Sequence, residues 1–431
     1  MIRLIYNLLL PLGLLLFLPA YIAKMRRRGG YWRNFGQRFG FYSRELKRWL
    51  ALRRVTWIHA VSVGEVGIAL TLARKLRELD PQFTCVITTT TTTGYAVAER
   101  EAADWLQVMY NPLDLYPVVR RAFASIRPLR IVLVEAEVWP NLAAIARARR
   151  IPLSLVNARL SPRSERRFRR FRFFVAPTFR CLDLVCVQEP EDVDRWASIG
   201  VRREALRHVG SIKYDPSAAE TASASAFEFL HSLGVDRNRP VILGGSTHPG
   251  EEEILARVFL RLRQDLPELF LIVAPRHVER TPEVRAQLVE LGLTTALRRG
   301  ENLPRGSVDC LLLNTTGELR NWYAVATIVF MGKSLTTSGG QNPVEPILSG
   351  KPVLFGPHME NFAALARALL QHEGAIQIAD PDALTAAAST LLRDAAARER
   401  LAQNAHAVLA AHRGATQRTA ELVLAGKSLA P

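Results

Sequence analysis

From Val55 onward the chain alternates short apolar runs with longer stretches whose apolar residues recur every three or four positions. VTWIHAV reads as a strand buried on both faces, and residues 68–79 read as a helix with Leu72, Leu76 and Leu79 on one face and Arg74, Lys75 and Glu78 off it. FTCVITTT, RIVLVEAE, PLSLVNA and DLVCVQ follow as strands, separated by helical stretches such as residues 140–150. This alternation predicts a doubly wound α/β domain with a parallel sheet. After SIKYD comes PSAAETASASA, a small-residue stretch without apolar periodicity that reads as a linker. The alternation then restarts with VILGG, LFLIVAP, DCLLLN, TIVFMG, KPVLFG and AIQIA, and from Asp380 the chain becomes an alanine-rich helical tail. The expected organisation is two α/β domains, 25–214 and 215–431, facing across a cleft, with ligands beyond the carboxyl ends of the strands.

The N-terminus breaks this pattern. Residues 4–23 are almost wholly apolar, interrupted by Asn7, Pro11 and Pro19, and about 20 helical residues match a hydrocarbon core of roughly 30 Å. Lys24, Arg26, Arg27 and Arg28 follow the apolar run, whereas a cleaved signal peptide carries its basic residues in front. The expectation is therefore an uncleaved membrane anchor over 1–24, with the basic cluster and the rest of the chain on the cytoplasmic side. The two prolines leave shallow interfacial insertion as the alternative.

Composition sharpens this reading. At 431 residues and 48% hydrophobic content the chain is long enough for two cores. Its net charge of +17 attracts polyanions, and beside an anchor the nearest one is an anionic membrane leaflet. Cys85, Cys181, Cys186 and Cys310 form no CxxC pair and read as buried, reduced thiols. Residues 163–180 interleave arginines with Phe168, Phe171, Phe173 and Phe174. Such a stripe suits a membrane surface; stacking on single-stranded nucleic acid and a plain solvated helix face are the alternatives.

Candidate chemistry collects at strand ends. SVGE places Glu65 at a crevice edge near a positive helix end, as a general base or as an ordinary first-turn glutamate. VEAEVWPN offers Glu135 and Glu137, which strand alternation would aim at one face, to bind acceptor hydroxyls or to face solvent. Pro275, Arg276 and His277 end another strand, and the Arg276 fork suits phosphate oxygens or a surface ion pair. Gly244, Gly245, Ser246 and Thr247 precede Glu251, Glu252 and Glu253; the glutamates read as complementing a helix dipole, and the loop could offer N–H groups to an anion. In GGQNPVEP, Gly339 and Gly340 let the backbone approach a ligand, Asn342 reads as an N-cap, Pro343 as the first helical residue and Glu345 as the third. Glu345 could reach a ribose diol or return a capping bond to Asn342.

Rival motifs fail on inspection. GKS at residues 332–334 lacks the upstream glycine of a phosphate-binding loop, because Thr327 stands there, and no GxGxxG or HExxH occurs. Asp192 and Asp194 spell DxD inside a helical segment after Pro190, so no metal site is expected.

Taken together, WIHAVSVGE, ITTTTTTGY, LVEAEVWPNL, VNARLSPRS, GSIKYD, APRH, FMGKSL, GGQNPVEP and VLFGPHMENF resemble the Kdo transferases, which attach 3-deoxy-D-manno-octulosonic acid to the lipid A precursor. The resemblance spans nearly the whole chain after the apolar N-terminus. It implies a GT-B glycosyltransferase of two Rossmann-like domains, with the acceptor in the first, the donor CMP-Kdo mainly in the second, and no metal or other cofactor. It implies inverting transfer to lipid IVA at the cytoplasmic face of the inner membrane, with Glu65 as the base and Glu137 helping to build the same site. Pro275, Arg276, Met331, Gly332 and Lys333 would contact CMP, with Asn342, Pro343, Val344 and Glu345 closing around the nucleotide. Lys213 of GSIKYD matches a basic position near the cleft. Lys333 and Gln341 depart from the G-G-S and G-H-N-P of many members, which bears on fine donor contacts and leaves Glu65 and Glu345 in place. Two other classes stay open: a nucleotide-sugar epimerase with paired domains, and a tethered nucleic-acid binder, for which no recognised module is present.

Overall fold

Residues 3–13, 34–215, 225–300 and 307–426 are described by the computed structural model. In the first part of the chain, β1 (Thr56–His59), β2 (Cys85–Thr89), β3 (Leu106–Tyr110), β4 (Arg130–Val134), β5 (Leu153–Ala158), β6 (Leu184–Val187) and β7 (Leu206–His208) pair into one sheet in the order β3-β2-β1-β4-β5-β6-β7. Every pairing is parallel. Helices cover both faces, which is why β1, β2 and β5 are buried at every position and read as continuous apolar runs. Neighbouring residues serve opposite cores: Trp57 packs edge-on against Phe123 at 5.5 Å in one layer, and Ile58 joins Val66, Leu72 and Leu76 in the other.

The second sheet comprises β8 (Val241–Thr247), β9 (Phe270–Pro275), β10 (Thr295–Leu297), β11 (Cys310–Leu312), β12 (Ile328–Met331), β13 (Val353–Phe355) and β14 (Ile376–Gln377). Its order is β10-β11-β9-β8-β12-β13-β14, again all parallel. Three strands, β3, β7 and β10, were not expected from the apolar pattern. All three lie at a sheet edge in their strand orders; β7 and β10 are only three residues long, with Arg207 and His208 of β7 exposed, and β3 is buried on both faces but interrupted by Gln107.

The chain divides into two units, and the second does not extend to the C-terminus as the 215–431 boundary expected. Residues from His412 onward belong with the first unit. The helix Ala415–Ala425 lies on the helix Val63–Leu79, and its Ala420 and Val423 complete the core that contains Ile58. Asp215, buried, accepts from the N–H groups of Gly414 and Thr416 at 3.0 and 2.8 Å and so caps that helix from 200 residues upstream in sequence. Most of the expected linker lies outside the described residues, and its end already belongs to the helix Ser225–Ser232.

The expected spanning anchor is not supported. Residues 3–13 are helical, but among the described residues no helix is long and apolar enough to cross a membrane. Instead the polar side of this segment is bonded to the first unit. Tyr6 donates to Asp114 Oδ2 at 3.0 Å and Asn7 Oδ1 accepts from Asn141 at 2.6 Å, while Leu4, Leu8 and Leu12 stay exposed. Burial pushes the Asp114 carboxyl up to about 6, against the opposing pull of the Asn141 and Leu142 N–H groups. Residues 14–33, with the rest of the apolar run and the basic cluster, lie outside the described residues.

Removing the cap at Asp215 should loosen the C-terminal helix selectively. Asp215→Ala is expected to lower the unfolding free energy by about 1–2 kcal/mol in a denaturant titration and to speed hydrogen exchange across Ala415–Ala425.

Candidate active site

In a parallel sheet all strands leave at one edge, and where the strand order reverses two successive loops part and open a crevice. The reversal in the first unit falls between β1 and β4. The loop after β1 carries Glu65 and the loop after β4 carries Glu135 and Glu137, so the fold brings together what lies 70 residues apart.

Glu65 is held by a reciprocal cap. Ser62 Oγ accepts from the Glu65 N–H at 3.4 Å, and the Glu65 carboxylate accepts from the Val61 N–H and the Ser62 hydroxyl, each at 2.9 Å. The structural role considered from sequence is therefore real. It does not exhaust the group, because a carboxylate has about four acceptor positions and these bonds use two. The threonine run steadies this loop: Thr89 and Thr91 both donate to the Val61 carbonyl, at 3.1 and 3.2 Å, and Thr91 also caps the helix Thr92–Glu99. Gly94 is required because a Cβ there would meet both hydroxyls, at 2.6 and 2.8 Å.

Glu135 and Glu137 do not lie on a strand, so the alternation argument fails for them. β4 ends at Val134, and Glu135 sits in left-handed backbone with φ 63°, turning the chain out of the sheet. The two carboxyls nonetheless share an environment with Glu65. Glu135 is pushed up first by burial and then by Glu65, and pulled down by Arg159 and Lys213; Glu137 is pushed up by burial, Glu65 and Glu135. Lys213 is pushed down to about 8 by burial, with Glu135 opposing. Its turn is positioned by Asn157, a buried residue in left-handed backbone (φ 51°) whose Oδ1 accepts from Ser211 Oγ and from the Ile212 N–H at 3.2 and 3.0 Å. Asn157 and Arg159 were not singled out from sequence; VNAR at the end of a strand was the available signal.

In the second unit the reversal falls between β8 and β12, and the candidate donor residues gather there. Gly332 follows β12 and donates to Gly245 O at 2.8 Å, so close to β8 that a Cβ would collide with the Ser246 and Thr247 backbone. Pro275 pairs with Thr247, and the Arg276 N–H donates to Thr247 O at 3.0 Å, which sets Arg276 beside the same loop with its side chain exposed. Ser246 and Lys333 both take left-handed backbone, φ 54° and 58°. Met331 and Val344 are enclosed, so any ligand contact there falls to their backbone, and the Thr247 hydroxyl is already donated to Glu252 at 2.9 Å.

The three glutamates after this loop do more than complement a dipole. Glu251, fully buried, accepts four backbone N–H groups: those of His248 and Lys333 on Oε2 at 2.8 and 2.7 Å, and those of Ser334 and Leu335 on Oε1, both at 3.0 Å. It ties the β8 and β12 loops into one piece. Glu252, also fully buried, binds the Arg280 guanidinium at 2.8 Å, and only Glu253 stays on the surface, paired with Arg257.

The glycine pair is not an open ligand platform. Cβ atoms at Gly339 would meet Asn361 and Lys333, and at Gly340 would meet Met359, so existing side chains fill the space over both. Their positive φ values, 127° and 70°, are what require glycine. The helix starts one residue later than expected, at Val344, although Asn342 Oδ1 accepts from the Val344 N–H at 3.1 Å. Glu345 makes no bond back to Asn342 among the described residues; burial pushes its carboxyl up and Arg320 opposes. Gln341 approaches His248, 3.4 Å between Nε2 atoms. His248 is pushed down by burial and, beyond that, by Lys333, His277 and Arg280, against Glu251. The second reversal thus carries Arg276 and Lys333 beside Glu251, while the first gathers Glu65, Glu135 and Glu137 with Lys213 and Arg159. Among the described residues no group of three His, Cys, Asp or Glu could hold a metal ion.

Two seven-stranded parallel sheets, each with one reversal of strand order, define a two-domain doubly wound α/β class. Anabaena HepE in complex with UDP shares the fold, with TM-score 0.57, 18% identity and coverage of 87% of this chain and 100% of that one. So does UDP-GlcNAc 2-epimerase from Neisseria meningitidis bound to UDP-GlcNAc, with TM-score 0.58, 13% identity and the same coverage. Sequence separates the branches of this class. Residues 33–216 match the family model for 3-deoxy-D-manno-octulosonic-acid transferase. The transferases of that name from Bordetella pertussis and Haemophilus influenzae are 36% and 33% identical, over 92% and 91% of this chain and the same shares of theirs. The chain belongs to the Kdo transferase family of glycosyltransferases.

Neutralising Glu65 removes a charge that both partner carboxyls feel. In Glu65→Gln, carboxyl-carbon NMR titrations of Glu135 and Glu137 are expected to move to lower pH. Glu251→Gln replaces one acceptor oxygen with an amide that cannot accept, leaving buried N–H groups unpaired. It is expected to cost about 2–4 kcal/mol, read as a lower denaturant midpoint.

Proposed function

We propose that this chain transfers Kdo from CMP-Kdo to the lipid A precursor, lipid IVA, by a single inverting displacement at the cytoplasmic face of the inner membrane. The observation that carries the reading is the cluster of three carboxylates, Glu65, Glu135 and Glu137, at one strand reversal, with Arg276 and Lys333 set beside the other. An acceptor hydroxyl needs a base, and a departing nucleoside monophosphate needs positive charge.

In this mechanism Glu65 takes the proton of the acceptor hydroxyl as that oxygen attacks the anomeric carbon of Kdo. The bond from that carbon to the phosphate oxygen breaks with its electron pair, and CMP leaves carrying the charge. Glu65 can accept the hydroxyl while keeping its bonds to Val61 and Ser62, which fix its orientation and reduce the motion needed at the moment of reaction. Glu137 accepts a second sugar hydroxyl, and Glu135 is balanced by Lys213 and Arg159. On the donor side Arg276 and Lys333 face the phosphate, aided by N–H groups of the Ser246 and Gly332 loops, and Glu345 receives the ribose diol. No metal takes part. The exposed leucines of residues 3–13 and exposed Phe171 and Phe173 among arginines provide contact with the anionic leaflet.

Incubated with CMP-Kdo and lipid IVA, the protein should release CMP in step with a lipid product heavier by whole Kdo units, seen by mass spectrometry. Glu65→Gln should lose about 10²- to 10⁴-fold in turnover while still binding CMP. A Glu65→Gln enzyme with full turnover would overturn the assigned base, and chelator-sensitive activity would overturn the metal-free step.

A further inference from the structure

A cavity of about 810 Å³ opens in the first unit, on the outer side of the turn that carries the carboxylates. Its walls come from three places. Tyr6 and Leu10 belong to the helical residues 3–13, Ala136 and Val138 to the turn after β4, and Phe168 and Val175 to the helices Pro162–Arg170 and Arg172–Phe179. The lining is almost wholly apolar, so water inside would lack partners, and the volume is that of a small-molecule site, roughly 300–1,000 Å³.

Two features say what would fill it. Ala136 and Val138 alternate with Glu135 and Glu137, so one short turn borders the cavity and also presents the carboxylates. Arginines stand around the apolar wall: Arg3 lines the cavity, and Arg167 lies over the Phe168 ring at 5.4 Å. The matching ligand has a hydrocarbon tail for the apolar wall and an anionic head for the arginines, beside the turn that carries Glu135 and Glu137.

We propose that this cavity seats an acyl chain of the lipid acceptor, and so aligns the sugar hydroxyl with the carboxylates. The proposal rests on the lipid-acceptor reading above and adds to it that the protein reads the tail as well as the head. Each methylene seated in such a site multiplies affinity about four-fold, so most discrimination between acylated and bare acceptors would arise here. Exposed Leu4, Leu8 and Phe173 remain for the membrane surface.

The cavity can be closed at Ala144, a half-buried lining residue on the helix Pro140–Ala148, away from the carboxylates. Ala144→Trp is expected to raise KM for tetra-acylated acceptor at least ten-fold, leaving KM for CMP-Kdo and kcat/KM on the fully deacylated disaccharide bisphosphate unchanged. Val175→Trp serves as the second closure if circular dichroism shows that Ala144→Trp does not fold. Independently of turnover, a diazirine-bearing acyl probe should label Leu10, Ala144 or Val175 in the full chain, and acylated acceptor should compete while the deacylated form does not. An unchanged KM, equal losses on both acceptors, labelling confined to Leu8 and Phe173, or equal competition by bulk phospholipid would each overturn the proposal; the last identifies a membrane-lipid site. So would exclusion of the probe by residues 14–33, seen as cavity labelling only after their deletion. Should wild type transfer no Kdo to either acceptor, the function reading falls while the labelling arm still reports the occupant of the cavity.

Discussion

Parallel strands in one sheet all point the same way, so every loop that follows a strand emerges at the same edge. Seven such strands would present a closed row of loops were it not that the connection changes direction once in each sheet, at β1/β4 and at β8/β12. Loops diverge there and leave space. The candidate residues of both units stand near those two points, and several residues at strand ends take strained backbone. Glu135, Asn157, Ser246 and Lys333 each follow or end a strand in left-handed backbone, a conformation that costs a non-glycine residue energy and persists only where the surroundings impose it.

Holding such loops still needs acceptors for their N–H groups, and buried carboxylates supply them in both units. In the first, Glu65 and Ser62 close the loop on itself, with two threonine hydroxyls bracing the Val61 carbonyl from behind. In the second, Glu251 gathers four N–H groups from two loops that are more than 80 residues apart. A buried carboxylate with one or two acceptors unused is costly; with four good bonds it is a rigid joint. Both sets of loops are therefore preorganised, with three carboxylates gathered at the first reversal and Arg276 and Lys333 set beside Glu251 at the second.

The N-terminal segment follows a different logic. A helix with leucines on its outer face would normally hide them, but here Tyr6 and Asn7 bond to Asp114 and Asn141 and turn the leucines outward. The same docking roofs an apolar cavity that shares its wall with the carboxylate turn. Exposed leucines, apolar cavity and carboxylate turn are therefore adjacent features of one unit.

The sequence by itself determined a good deal. Central strands must be apolar on both faces, so β1, β2, β4 and β8 announced themselves, and with them the doubly wound class; the ordered motifs carried the family. That Glu65, Arg276 and Lys333 follow strand ends was legible because an apolar run stops shortly before each. Only the tertiary structure decided the rest, because it depends on which segments meet. Of the edge strands, β7 and β10 are three residues long, too short to show a pattern, and β3 is interrupted by Gln107. The last helix joins the first unit because Asp215 caps it and Val423 fills the core there, neither of which any local window contains. Glu251, Glu252 and Glu253 look alike in sequence, yet two are buried joints and one is a surface pair, since burial is assigned by the partner and not by the residue.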